Sequence, residues 1–374
     1  MMYMNSTNET FLENSLNCLP ILYPYWFPMY GVLCPLLACT TLCTNILVII
    51  VFTMNRMRSP TTILLTALAV SDILAAMVIT PMYVYFYSMG NVLNYQGGLP
   101  YPLCIYHSMA YKITAVFHAV SIWLTVVLGI QRFIVVAFPI PGRRLCSKKN
   151  SVLVIILVYI LVLGVYSLWF LEDRFEERTR IDESGLVAPY CLCYQEEVIM
   201  FDYSMEKVMK FIRLVFGQFC PCVILVCATI ALVQKLIVES HRILDLHREE
   251  DNERERTDFR LIRRTTVMVI LIVITFCLVE IPLSIVFLID VCDIQIIQLD
   301  AKLEIAVISN FCLFITYQVN FWIYVSLSRH FRNNLKRLFH IGDSSLNQNG
   351  FPSLNYKSYY SPRILHSRRV STFH

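Results

Sequence analysis

Six ionisable side chains lie inside long apolar runs: Asp72, Lys112, His118, Arg132, Arg213 and Glu280. Groups of this kind can relay a proton, hold a cation, bind a charged ligand or pair with one another. They cannot face lipid, where a charge is costly unless it turns toward a bundle interior or a water-filled cavity. Three of them, with Ser121, fall in one stretch from Cys104 to Pro139, CIYHSMAYKITAVFHAVSIWLTVVLGIQRFIVVAFP. Its apolar middle exceeds the roughly 20 residues that cross a bilayer. That stretch reads as the central helix of a bundle.

The elements that must position these groups follow from length and charge. Seven apolar runs are read at 28–53, 61–87, 103–136, 151–171, 208–237, 262–289 and 303–326, within 374 residues that are 57% hydrophobic and only 16% charged. Pro35, Pro81, Pro221 and Pro282 lie inside four of them, as membrane helices tolerate. The fold class is therefore all-α, a seven-transmembrane helix bundle at 28–327. Residues 328–340 form a short amphipathic helix, with Phe331, Leu335, Leu338 and Phe339 on one stripe amid basic residues, which suits the membrane interface. A glycosylated tail at 1–27 and a polar, disordered tail at 341–374 flank the bundle.

Basic residues orient it. Arg56 and Arg58, then Arg143, Arg144, Lys148 and Lys149, then eight more between Lys235 and Arg264, share a side with the C-terminal tail. The first 27 residues hold no Lys or Arg and carry the sequons at Asn5 and Asn8. The N-terminus is thus expected outside and the C-terminus in the cytoplasm. No charged segment followed by a short apolar one precedes the first span, so that span is expected to act as the signal. The mixed-charge stretch between the fifth and sixth runs reads as those helices continuing into water. Of fourteen cysteines, Cys18, Cys104, Cys191, Cys193 and Cys292 sit on or near the outer, oxidising side. A bridge from Cys104 to either Cys191 or Cys193 would pin the loop after the fourth run over the third.

These features exclude several classes. No H-E-x-x-H ligand spacing or Gly-rich phosphate loop supports an enzyme. Seven spans divide into no pair of repeats and show no interrupted half-helices, against an ion- or proton-coupled transporter. A net charge of +4 gives no indication of nucleic acid.

The organisation resembles rhodopsin-like G-protein-coupled receptors over about residues 28–340. Thr44-Asn45-Ile46-Leu47-Val48 is similar to the family's Gly-Asn-x-x-Val, and Leu68-Ala69-Val70-Ser71-Asp72 to Leu-Ala-x-x-Asp. Pro221, and Phe276 six residues before Pro282, also match. Departures are specific. Gln131-Arg132-Phe133 stands for Asp-Arg-Tyr, and Val279-Glu280-Ile281-Pro282 for Cys-Trp-x-Pro. Asn320-Phe321-Trp322-Ile323-Tyr324 stands for Asn-Pro-x-x-Tyr. Thr114 occupies the place of the amine receptors' aspartate and Phe314 that of the opsins' lysine. With Val-Ala-Phe-Pro after it, the Gln-Arg-Phe motif resembles invertebrate neuropeptide receptors of the myosuppressin, FMRFamide-like and sex-peptide (myoinhibitory-peptide) group.

The resemblance implies a plasma-membrane receptor for an extracellular neuropeptide, amidated and RFamide-like, acting on a heterotrimeric G protein. It also brings arrestin, receptor kinases and membrane lipid as partners. Gln131, Arg132, Phe133 and Tyr324 take the coupling role. Asp72, Ser121 and Asn320 match positions at which related receptors coordinate sodium, and no other cofactor is implied. Helical spacing puts Tyr111, Thr114 and His118 on one face with Ser121. Tyr83, Lys210, Arg213, Glu280, Asp290 and Asn310 complete the candidate ligand-binding set, whose acids suit a guanidinium and whose aromatics suit a ring. Arg213 with Glu280, or His118 with Glu280, can equally pair with each other and tie helices together. The alternative on the same fold is a chemosensory receptor for a small molecule.

Overall fold

The computed structural model describes residues 27–54, 58–92, 99–171, 174–181, 187–194, 203–246, 253–292 and 299–339. Asn5, Asn8, Cys18 and the tail beyond residue 339 lie outside the described residues. So do the side chains of Cys191, Cys193 and Asp290.

Seven long helices are drawn among the described residues. They are α1 (Phe27–Thr53), α2 (Pro60–Ser88), α3 (Tyr101–Ala137), α4 (Lys148–Phe170), α5, α6 (Glu253–Val291) and α7 (Leu299–Leu327). Helix α5 runs as Tyr203–Leu214, then Val215–Phe219, then Cys220–Leu246. A further helix, α8 (Arg329–Leu338), follows α7. The first six are apolar and long enough to span a bilayer by composition alone. As the mixed-charge sequence suggested, α5 and α6 both run past their apolar segments. One element was not legible. Between α4 and α5 the chain forms an antiparallel hairpin of β1 (Arg174–Ile181) and β2 (Val187–Tyr194), with Cys193 opposite Phe175 and Cys191 opposite Glu177.

The chain divides into two units, Met1–Arg332 and Asn333–His374. The bundle belongs to the first; of the second, the described residues are the end of α8 and Phe339. Within the bundle α3 is central, packing against α2, α4, α5, α6 and both hairpin strands, while α7 packs against α1, α2 and α6. The end of the bundle holding Tyr83 and the end holding Arg132 serve below as landmarks.

Local chemistry sets the helix ends and irregularities. Ser59 and Thr62 form a reciprocal capping box at the start of α2, which satisfies two otherwise orphaned donors. Ser147 caps α4 through the Asn150 N–H. Arg332 donates from Nη1 to the last carbonyls of α7, Val325 at 2.8 Å and Ser326 at 2.6 Å, as cationic side chains do at helix C-termini. Wide π-type turns occupy Phe27–Leu33 and Val215–Phe219. In each, the next helical segment carries a proline, Pro35 or Pro221, whose missing N–H leaves the carbonyl four residues back without its helical donor. Those carbonyls belong to Gly31 and Gly217.

Gly217 also faces a side chain of α4. A Cβ there would lie 2.5 Å from the Tyr166 hydroxyl, and Tyr166 is buried. Overpacking of this kind costs about 1–3 kcal/mol. Gly217→Ala should therefore lower the thermal midpoint of purified receptor, and Tyr166→Phe in the same chain should recover most of the loss. Additive losses in the double variant would show that the clash is relieved elsewhere.

Candidate functional site

Four helices bring their buried polar groups together at mid-bundle. His118 on α3 and Glu280 on α6 meet with Nε2 and Oε1 3.1 Å apart, the carboxylate being 1% exposed. The contact lies off the direction of a hydrogen bond and is an ion pair when the imidazole is protonated. The other imidazole nitrogen, Nδ1, lies 3.2 Å from the Tyr317 hydroxyl of α7, and which of the two donates follows the protonation and tautomer of the ring. Of the two pairings the sequence left open for Glu280, the one with His118 is formed.

Above this pair, toward the Tyr83 end, an aromatic series connects the candidate residues. Tyr317 packs edge-on against Phe314, and Phe314 against Tyr83, each at a centroid distance of 6.1 Å. Tyr83 stacks on Tyr30 of α1 at 4.9 Å, and the Tyr30 hydroxyl accepts from Asn310 Nδ2 at 3.0 Å. Tyr83, His118, Glu280 and Asn310 are thus one connected set drawn from α2, α3, α6 and α7. Thr114 donates to the Ala75 carbonyl on α2 at 3.3 Å. Tyr111 packs against His107 one turn before it. Tyr30, Phe314 and Tyr317 were missed as members of the site. The only sequence trace of them is aromatic spacing of three on α7, which is common in any apolar helix.

The basic residues of α5 are placed apart from the pair. Arg213 lies over the Trp169 ring at 4.5 Å, a cation–π contact. Lys112, 4% exposed, approaches the same ring and donates to the Trp169 carbonyl at 2.6 Å. Trp169 therefore organises two cations where α3, α4 and α5 converge. Lys210 is half-buried one turn before Arg213.

Below the pair lies a cavity of about 30 Å³, lined by His118 and Tyr317 together with Asp72, Ser121, Thr125 and Asn320. That is room for one or two water-sized species. Ser121 donates to Asp72 Oδ1 at 2.7 Å, while Asp72 Oδ2 is buried without a hydrogen bond. The three residues matched to a sodium site do share one space, and all of their lining donors are oxygens or an amide. Asn45 bridges α1 to α7 beside it, donating to the Tyr317 carbonyl at 2.9 Å.

At the opposite end, Gln131 is buried and hydrogen-bonds to neighbouring helices. Thr61 of α2 donates to its Oε1 at 3.3 Å, and its Nε2 donates to Ser151 of α4 at 3.4 Å. It joins three helices by neutral bonds. Among the described residues Arg132 makes no ion pair, and its Nε is buried without a hydrogen-bond acceptor. Tyr324 packs with Phe52 at 5.1 Å and Phe331 at 5.7 Å, and its hydroxyl is buried without a partner. Cys104 is buried in α3; its pairing with Cys191 or Cys193 falls on side chains outside the described set.

Removing one member of a buried pair strands the other, at a cost of about 3–5 kcal/mol, whereas removing both is far better tolerated. Glu280→Leu should thus lower the thermal midpoint of the purified protein more than His118→Leu with Glu280→Leu together. A double variant as unstable as the sum of the single ones would mean that the two groups do not stabilise each other.

Comparison with known proteins agrees with this architecture. Residues 33–342 match the family model described as serpentine type 7TM GPCR chemoreceptor Srw. The sex peptide receptor of Drosophila melanogaster is 30% identical over 333 residues, 84% of this chain and 73% of that protein. Sex peptide receptor-related protein 2 of Caenorhabditis elegans is 28% identical, over 85% of this chain and 73% of its own. The FMRFamide receptor of Drosophila melanogaster is 23% identical, over 89% and 60%. With the family match running from the first membrane helix past the last, this chain belongs to the serpentine seven-transmembrane G-protein-coupled receptors.

Proposed function

We propose that this receptor binds an extracellular neuropeptide, amidated and RFamide-like, at the Tyr83 end of its bundle, and that the His118–Glu280 pair carries the response toward the G protein. The observation behind this reading is the unbroken series Asn310–Tyr30–Tyr83–Phe314–Tyr317–His118–Glu280. A ligand held at its top touches, through packed rings, the polar contact between α3 and α6. Ligand can shift α6 only as far as it binds the shifted state better. The names of the relatives, a sex peptide receptor and an FMRFamide receptor, favour a peptide. The word chemoreceptor in the family description is what favours a small molecule as second reading.

The chain is a signalling receptor, not an enzyme; nucleotide exchange takes place on its partner. The distribution of basic residues supports an N-terminus outside, and residence in the plasma membrane is proposed from the receptor family. Arrestin and receptor kinases are further proposed partners at the cytoplasmic end. Sugars at Asn5 and Asn8, and a bridge from Cys104 to Cys191 or Cys193, remain part of the proposal for the outer face. In the core, a sodium ion fits the cavity of Asp72, Ser121 and Asn320, because the unpartnered Asp72 Oδ2 needs a cation, a proton or a water.

Four measurements test this reading. In cells expressing the receptor, a library of amidated neuropeptides should raise calcium or change cAMP where small odorants do not. For the active peptide, Glu280→Ala and Arg213→Ala should each weaken potency at least about tenfold, the scale of a hydrogen bond to a charge, and more than Lys210→Ala does. Equal potency in all three, at matched surface expression, rules out a pocket role.

Sodium should reduce agonist affinity in membranes, and Asp72→Asn should abolish that dependence. If affinity is insensitive to sodium in both, the ion is excluded.

At the other end, Arg132→Ala should largely abolish the response. Gln131→Asp should lower ligand-free signalling, because it sets a carboxylate beside a guanidinium that has no acidic partner among the described residues. Unchanged or raised basal signalling at equal surface expression would place the restraint elsewhere, such as the packing of Tyr324 on Phe52 and Phe331.

A further inference from the structure

After α3 the chain folds back on itself. A short helix, Pro139–Leu145, packs against the end of α3 with Gly142 at the contact. A Cβ on Gly142 would lie 2.7 Å from the Ile134 carbonyl oxygen and 3.2 Å from the Val135 Cα. Both are backbone atoms that cannot swing away, so only glycine allows this approach. The fold-back creates a groove of about 690 Å³, walled by Ile134, Phe138, Ile140, Pro141 and Leu145 and edged by Arg144 and Asn150. That volume is in the range of ligand sites.

Its walls are apolar yet open. Phe138 is 55%, Ile140 76% and Leu145 58% exposed, a cluster that would be unfavourable in water. The groove also runs into a lipid-facing surface. Asn150 at its edge shares one face of α4 with Leu153, Leu157 and Leu161, and all three leucines are exposed. At the polar rim, Arg144 borders the groove, and Lys148 and Lys149 are exposed at the start of α4. No acidic residue occurs between Cys104 and Phe170. A slot that is apolar along a membrane face and cationic at its mouth has the complement of one kind of molecule.

We infer that this groove is a binding site for an anionic phospholipid. An acyl chain lies against Ile134, Phe138, Ile140 and Leu145, and the phosphate is held by Arg144 with Lys148 and Lys149. Anionic lipids are concentrated in the cytoplasmic leaflet and favour basic residues near the surface by about 1 kcal/mol each. The proposed orientation of the receptor determines only which leaflet supplies the lipid. Neither the groove nor its test depends on the neuropeptide reading.

Native mass spectrometry of the purified full-length receptor, titrated in neutral detergent with phosphatidylserine, phosphatidylinositol 4-phosphate or phosphatidylcholine, reads the site directly. The anionic lipids should bind in preference to phosphatidylcholine. Arg144→Ala should weaken them by about fivefold, and Ile140→Asn should do so without regard to headgroup. Soluble inositol phosphate, which has the charge and no chain, should compete poorly; full competition would make this an anion site and overturn the lipid assignment. Thermal midpoints should be unchanged in both variants, which separates loss of the site from loss of the fold. Equal retention of phosphatidylcholine, or anionic-lipid binding unaffected in both variants, would refute the inference. So would an Ile140→Asn chain that keeps its lipid but no longer engages a G protein, because the groove would then belong to the protein partner.

Discussion

The contact between His118 and Glu280 is the one on which the rest of the bundle depends. A carboxylate that is 1% exposed between α3 and α6 is tolerable only against a group that can carry positive charge. That requirement fixes the rotation of both helices. It also fixes Tyr317, which must present its hydroxyl to the second imidazole nitrogen and so sets the face α7 turns inward. The family pattern has tryptophan where this chain has Glu280, so at this position a carboxylate takes the place of a ring.

The same constraint operates throughout the described bundle. With little water to satisfy them, polar groups find partners on other helices. Gln131 joins α2 and α4 to α3, Asn45 joins α1 to α7, Ser71 meets Tyr159 of α4 at 2.9 Å, and Lys112 reaches a carbonyl on α4. Most of these are single, neutral bonds of modest strength. Against that background the buried groups without a hydrogen bond among the described residues stand out: Thr41 Oγ1, Asp72 Oδ2, His118 Nε2, Arg132 Nε, Gln218 Oε1, Glu280 Oε2 and the Tyr324 hydroxyl. A two-state bundle needs groups of this kind, which are poorly satisfied in one arrangement and free to find partners in another.

The departures from the receptor family's motifs acquire a physical sense in this setting. With Gln131 committed to Thr61 and Ser151, the residue beside Arg132 strengthens the scaffold rather than restraining the arginine. The aromatic contacts of Tyr324 with Phe52 and Phe331 then tie α7 to α1 at the same end. Trp169, near the end of α4, serves as a platform for Arg213 and Lys112. Each substitution removes one familiar contact and leaves a different one in its place.

Seven apolar runs and the receptor family were legible in the sequence alone, while α5, which runs to Leu246, and α6, which starts at Glu253, extend well past the runs read for them. Long apolar runs and short motifs such as Leu68-Ala69-Val70-Ser71-Asp72 are local signals, and a bilayer permits few folds for such a chain. The sequence also singled out Asp72, Lys112, His118, Arg132, Arg213 and Glu280, because burial of an ionisable side chain in lipid is always a constraint. What it left open was partnership. Whether Glu280 takes His118 or Arg213 depends on helix rotation to within a fraction of a turn, and no periodicity encodes that. The same holds for Tyr30, Phe314 and Tyr317, which are ordinary aromatics until three helices set them edge to face. The hairpin of β1 and β2, and the fold-back at Gly142, likewise appear only when separate segments pack together. Local chemistry chose the elements; the need to satisfy each buried polar group chose how they meet.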